Sequence, residues 1–275
     1  MQLVSNFRSI NGTRSDRPLS DDQIMRVAPS IFATEPHESR SDRYTYIPTI
    51  QVLDALRKEG FAPFMVCQTR VRNLEKKDHT KHMIRLRHAN QINGKEANEI
   101  ILLNSHDGTS SYQMLAGMFR FVCHNGMVCG DTLGDIRVRH QGDVISDVIE
   151  GAYTVLDSFE AAEEQREGMK ALTLNDGEQA AFARAALTLK YDNPEQRPAP
   201  ITEDQILSAR RYEDRSNDLW GTFNRVQENM LKGGLNGRNR NGRRQRTRAV
   251  TGIDQNVKLN RALWVLADEM KRLKA

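Results

Sequence analysis

A chain of 275 residues, 28% charged and 38% hydrophobic, is long enough for one large domain or two modest ones, and too apolar to remain unfolded. No run approaches the ~20 apolar residues of a membrane helix, and residues 1–18 lack a signal-peptide core, so a cytoplasmic protein with no membrane partner is expected. The net charge of +4 conceals an asymmetry: residues 231–250 hold seven basic side chains and no acidic one, whereas residues 143–178 hold ten acidic against two basic.

Residues 1–45 are polar and read as an N-terminal arm, with a short helix expected from the N-cap Ser20 to Val27, before Pro29. Residues 48–59 predict a better helix: proline opens it, Ile50, Leu53 and Leu56 share a face, and Gly60 closes it. A strand-rich block follows. Over 64–72, Cys67, Thr69 and Val71 alternate with Gln68, Arg70 and Arg72; over 82–88, Ile84 and Leu86 oppose Arg85 and Arg87. Residues 99–104 form a continuous apolar run, 111–123 a longer one, Asn125-Gly126 a hairpin turn, and 136–140 a last strand. Consecutive antiparallel pairing is the simplest topology.

From Asp143 the period becomes 3.6: Val144, Val148, Ala152, Leu156 and Phe159 make one stripe, which predicts a long helix packed across the sheet. The remaining hundred residues read as helical. Segment 178–189 is Ala-rich, 193–200 is a linker, Thr202 and Gln205 make a capping box, and Leu219, Trp220, Phe223, Val226 and Met230 stack at helical spacing. Gly233-Gly234 ends that helix, and a final one is expected over 254–273. The fold class is therefore α+β: an antiparallel sheet flanked by a long helix over 46–175, then a mostly helical C-terminal region over 176–275.

Four motifs carry chemistry. Residues 232–250 form an Arg-rich loop whose Arg238, Arg240, Arg243, Arg244, Arg246 and Arg248 suit phosphate, since a guanidinium donates bidentately and stays charged; its Gly and Asn residues imply a pliable clamp. Arg70, Arg72, Arg85 and Arg87 fall on one face if their strands are neighbours, which suggests a basic nucleic-acid platform. Ser105, His106 and Asp107 crowd a strand-to-turn junction, which suits either an acid–base site or an Asp-Gly turn, the turn being the commoner outcome. The three cysteines, Cys67, Cys123 and Cys129, are odd in number and lack zinc-type spacing, so free thiols in a reducing compartment are expected. Common nucleotide-binding and hydrolytic motifs are missing, so no cofactor, no metal and no catalytic residue is assigned.

Four blocks carry a resemblance: Ser105-His-Asp-Gly-Thr-Ser-Ser-Tyr, Phe119-Arg-Phe-Val-Cys-His-Asn-Gly-Met, the stretch from Leu219-Trp-Gly-Thr-Phe to Gly234, and Asn256-Val-Lys-Leu-Asn-Arg-Ala-Leu-Trp. Together they resemble a phage/plasmid-related family of unknown function, the YfjQ/YafZ-like prophage proteins. The resemblance implies a mobile-element context and supplies no catalytic residues. The order helix, antiparallel sheet, long helix is also similar to that of single-strand annealing recombinases, by analogy of elements alone.

The expectation is a nucleic-acid-binding accessory protein of a phage or plasmid, contacting single-stranded DNA through phosphate without sequence preference, with strand annealing and homo-oligomerisation as extensions. A regulatory or anti-defence protein that binds a host protein is the alternative, and a metal-dependent nuclease using His106 and Asp107 is a third reading.

Overall fold

The computed structural model describes residues 12–36, 46, 48–71, 74–88, 96–108, 110–121, 125–129, 136–139, 142–191 and 198–274. Two compact units divide the chain: Met1–Met127 with Thr132–Phe159, and Val128–Asp131 with Glu160–Ala275.

The first unit is built on an antiparallel sheet in the order β1 (Gly12–Arg14), β2 (Phe61–Gln68), β3 (His82–His88), β4 (Glu96–Asn104), β5 (Tyr112–Arg120) and β6 (Asn125–Val128), with β7 (Ile136–Val138) also pairing with β5. Every pair with a defined register is antiparallel, as the alternating and apolar runs predict. Two local expectations differ. β2 stops at Gln68, so Arg70 lies beyond its end, and Asn125-Gly126 begins a strand instead of turning a hairpin.

Register separates the two sheet faces. Val66, Ile84, Leu102 and Met114 are cross-strand partners on one face, which meets α2 (Thr49–Lys58) and α3 (Val144–Asp157). Here Val52, Leu53, Leu56, Val144, Val148 and Val155 are fully buried. Arg14, Met65, Arg85 and Ile101 are partners on the other face. On that face the Arg14 guanidinium lies 4.3 Å from the Phe119 ring centroid, although three strands separate β1 from β5, so the sheet curls and this face is concave.

Residues 12–36 are part of this unit, not a loose arm. β1 pairs with β2, α1 (Asp21–Val27) carries the Ser20–Gln23 capping box, and Leu19, Ile24, Ala28 and Ile31 are buried. The long helix expected from Asp143 is two. At Ser158 the hydroxyl donates to the Val155 carbonyl at 2.6 Å, a back-bond that competes with helix continuation, and α4 (Phe159–Ala171) starts afresh.

The second unit is helical around α7 (Leu219–Lys232), in which every residue from Leu219 to Leu231 is buried. It packs with α5 (Asp176–Lys190), α6 (Glu203–Leu207) and α8 (Ile253–Lys274). Trp220 stacks on Phe223 at 5.6 Å, and Trp264 meets both rings edge-on. The buried polar groups of α7 are tied down: Arg225 donates to the carbonyls of Asp214 and Ser216, Gln227 to Asn260, and Asn229 to the carbonyls of Ile206 and Ser208.

Candidate nucleic-acid interface

Where α7 ends, Gly233 and Gly234 both take positive φ, 59° and 82°, which non-glycine residues rarely adopt. Their reversal launches a two-stranded ribbon, β8 (Asn236–Arg238) and β9 (Arg244–Arg246). The segment expected to be a pliable loop is therefore a hairpin. Its neck is closed by Thr247, whose amide donates to the Leu235 carbonyl, whose carbonyl accepts from Gly234 and whose hydroxyl accepts from Leu235. Its tip is held by the Asn239 side chain, which accepts from the amides of Asn241 and Arg243 at 3.0 Å, with Gly242 at φ 72°.

Register fixes the ribbon's faces: Asn236 faces Arg246, Gly237 faces Gln245 and Arg238 faces Arg244. Arg238, Arg244 and Arg246 therefore share one side. On the other, Gly237 lies against Pro200, so tightly that a Cβ there would sit 1.9 Å from the Pro200 carbonyl oxygen, and the Arg238 amide donates to that same oxygen at 2.9 Å. The fold thus docks one side of the ribbon and offers the other to solvent.

All six arginines expected to contact phosphate, Arg238, Arg240, Arg243, Arg244, Arg246 and Arg248, are exposed, and none forms an ion pair among the described residues. Arg238 donates to the Gly242 carbonyl and Arg246 to the Gly234 carbonyl, neutral acceptors that orient a guanidinium without discharging it. The result is a fixed array of positive charge facing water.

The second basic cluster is not assembled as expected. Arg70 is exposed, and Arg72 lies outside the described residues. Arg85 and Arg87 are 2% and 1% exposed on the concave sheet face. Glu99, itself fully buried, accepts from Arg85 at 3.0 Å and from Arg87 at 2.8 and 3.0 Å, and Arg87 also lies over the rings of Phe64, Phe119 and Phe121. Burial alone would push the Glu99 carboxyl up, but the guanidiniums of Arg85, Arg87 and Arg14 outweigh it and hold the group below the usual carboxylate range. Period-two spacing placed these arginines on one face correctly; it carried no information that the face is concave and closed. The available signal was Glu99 at the head of an apolar strand, a lone carboxylate that a buried position tolerates only with a cationic partner.

In the Ser105–Asp107 turn, Ser105 and His106 are buried and Asp107 is half-buried. His106 is buried, its Nε2 is 3.1 Å from the Thr49 hydroxyl, and that hydroxyl also meets His82 Nε2, Tyr112 OH and the donating Asn104 amide within 3.0–3.3 Å. Burial, with His106 close by, depresses the His82 pKa to about 3, so its ring is neutral. This network stitches α2 to the strand ends and has no access for substrate. Among the described residues no group of His, Cys, Asp or Glu is placed to hold a metal ion. Cys67 and Cys129 are buried free thiols, Cys67 being pushed up to about 12 by burial, and Cys123 lies outside the described residues. No helix among the described residues is long and apolar enough to cross a membrane.

The family profile described as a domain of unknown function, DUF932, matches residues 36–264, which takes in α2, strands β2 to β7, the core helix α7 and the hairpin. The chain belongs to the DUF932 family. The chain is 59% identical to the UPF0380 protein YfjQ of Escherichia coli strain K12 and 58% identical to the UPF0380 protein YafZ of the same strain, in each case over 98% of this chain and 97% of the relative. No solved structure matches this DUF932 chain.

Proposed function

We propose that this protein binds nucleic acid through the arginine hairpin, by sequence-independent contacts to phosphate, with single-stranded DNA as the favoured ligand. One observation carries the reading: six exposed guanidiniums with no carboxylate partner among the described residues, on a ribbon held at its neck, at its tip and against Pro200. A pre-ordered array loses less conformational entropy on binding than a mobile loop would. The contacts are assigned to phosphate because the hairpin carries arginine, asparagine, glycine, glutamine and threonine and no aromatic ring.

The reading is narrower than strand annealing on a basic sheet, since Arg85 and Arg87 are committed to Glu99. With the likeness of the sequence to phage- and plasmid-related proteins, it describes a cytoplasmic accessory protein of a mobile element. The test is an anisotropy titration of single- and double-stranded oligonucleotides over a series of salt concentrations. If all six arginines meet phosphate, log K for a single strand falls with log salt at a slope of about −4, and replacing the six by Ser flattens it. An unchanged slope in that variant removes the hairpin from the interface.

A further inference from the structure

We propose that Tyr212 is a base-stacking residue at the foot of the arginine hairpin, and that it gives the protein its preference for unpaired bases. The inference rests on the hairpin reading above and adds the part of the ligand that phosphate contacts do not touch.

Tyr212 is 78% exposed, and among the described residues the next most exposed aromatic, Tyr153 at 37%, is engaged by Glu59 through its hydroxyl. A single exposed ring is ordinary on a protein surface. Its setting is not. Tyr212 opens a short 3-10 turn, Tyr212–Asp214, that is held on both sides: Asp214 is 1% exposed, its carbonyl accepts from Arg225, and Arg211 pairs with Asp214 and Glu228. The backbone beneath the ring is fixed while the ring stands in water.

The segment that leads into that turn is tied to the root of the hairpin. Arg210 donates to Asn229 and to the carbonyl of Gly233, the residue from which the ribbon departs, each at 2.6 Å, and Gln205 donates to the Asn236 carbonyl at 2.7 Å. Tyr212 is two residues from Arg210, so its Cα lies within about 7 Å of that anchor. The exposed Arg215 guanidinium lies 5.5 Å from the Tyr212 ring centroid. Glu213, also exposed, is the acidic group beside them.

A flat ring with a cation over it, on a turn tethered through Arg210 to the base of a hairpin of phosphate-binding cations, suits the repeat of a single strand, in which each planar base is followed by a phosphate. Stacking on an aromatic ring needs a base whose face is free, and a duplex offers none away from its ends. The ring therefore discriminates by base pairing and the hairpin by charge.

The experiment compares an ordinary single-stranded oligonucleotide, an abasic strand with the same number of phosphates, and a duplex, each titrated against the wild-type chain, Tyr212→Phe and Tyr212→Ala. The wild type is expected to prefer the base-bearing strand to the abasic one. Tyr212→Ala should weaken the base-bearing complex about tenfold, leave the abasic strand and the duplex unchanged, and keep the salt slope, because no charge is lost. Tyr212→Phe should retain the preference. If Tyr212→Ala binds all three ligands as the wild type does, the stacking role is overturned while the hairpin reading stands. If the wild type binds none of them, both are overturned. Circular dichroism melts of the two variants report that this exposed position leaves the fold intact.

Discussion

Glu99 is one carboxylate among three guanidiniums, at the concave face of a sheet, and its removal has a cost set by what it leaves behind. Replacing it by Gln keeps the shape and strands Arg85 and Arg87 as buried charges without a counter-ion. Breaking a buried pair in this way costs about 3–5 kcal/mol, so Glu99→Gln should lower the urea midpoint of unfolding by a corresponding amount. A variant as stable as the wild type would mean that water reaches these arginines. His82 predicts a pH effect of definite sign. Its ring is neutral in the folded protein down to about pH 3, whereas in the unfolded chain it takes a proton near the ordinary histidine value of 6.5. Between those limits the unfolded state binds the additional proton, so stability falls as pH is lowered from 6.5, by about 1.4 kcal/mol per unit, and this contribution is constant above 6.5. Melting His82→Gln beside the wild type across that window should show a shallower slope in the variant.

At the scale of the element, the hairpin depends on contacts outside its own two strands. Three-residue strands are too short to hold a ribbon in water alone. The neck at Thr247, the tip at Asn239 and the docking of Gly237 on Pro200 supply what the strands lack. Gly237→Val places a branched side chain where even a Cβ would sit 1.9 Å from the Pro200 carbonyl oxygen, so the ribbon must leave Pro200 while keeping every arginine. The expected outcome is faster hydrogen exchange at the Arg238 amide, a melting temperature close to that of the wild type, and affinity for single strands reduced by about three- to tenfold as the array loses its pre-ordering. Undiminished affinity would show that charge alone, without geometry, is sufficient. The hairpin itself was legible only in its chemistry: its composition announced phosphate, while its Gly and Asn residues read as a pliable loop. Its strands were hidden because arginine has no strong strand preference, and the pairing is imposed by Pro200 and Thr247, neither of which belongs to a local pattern.

Across the whole molecule, the patterns that survived are those set by period and capping. The meander of β2 to β5, the helix opened by Pro48, the capping boxes at Ser20 and Thr202 and the buried face of α7 all follow from spacing in the chain. What the spacing left out was which surfaces close on each other. Two strands that alternate arginine with isoleucine or leucine give the same string whether the arginines face water or a buried glutamate, and only the curl that brings Arg14 to Phe119 decides between them. The same limit applied to Tyr212, a lone ring in a polar stretch, whose interest lies in what stands beside it.

The eleven residues 238–248 also determine which way the protein migrates in an electric field at neutral pH. Taking their six arginines from a chain of net charge +4 leaves −2. A trypsin-like protease cutting after Arg238 and after Arg248 would release residues 239–248 with five of those arginines and leave a net charge of −1. The affinity of the whole chain for a cation exchanger is thus a property of one small appendage.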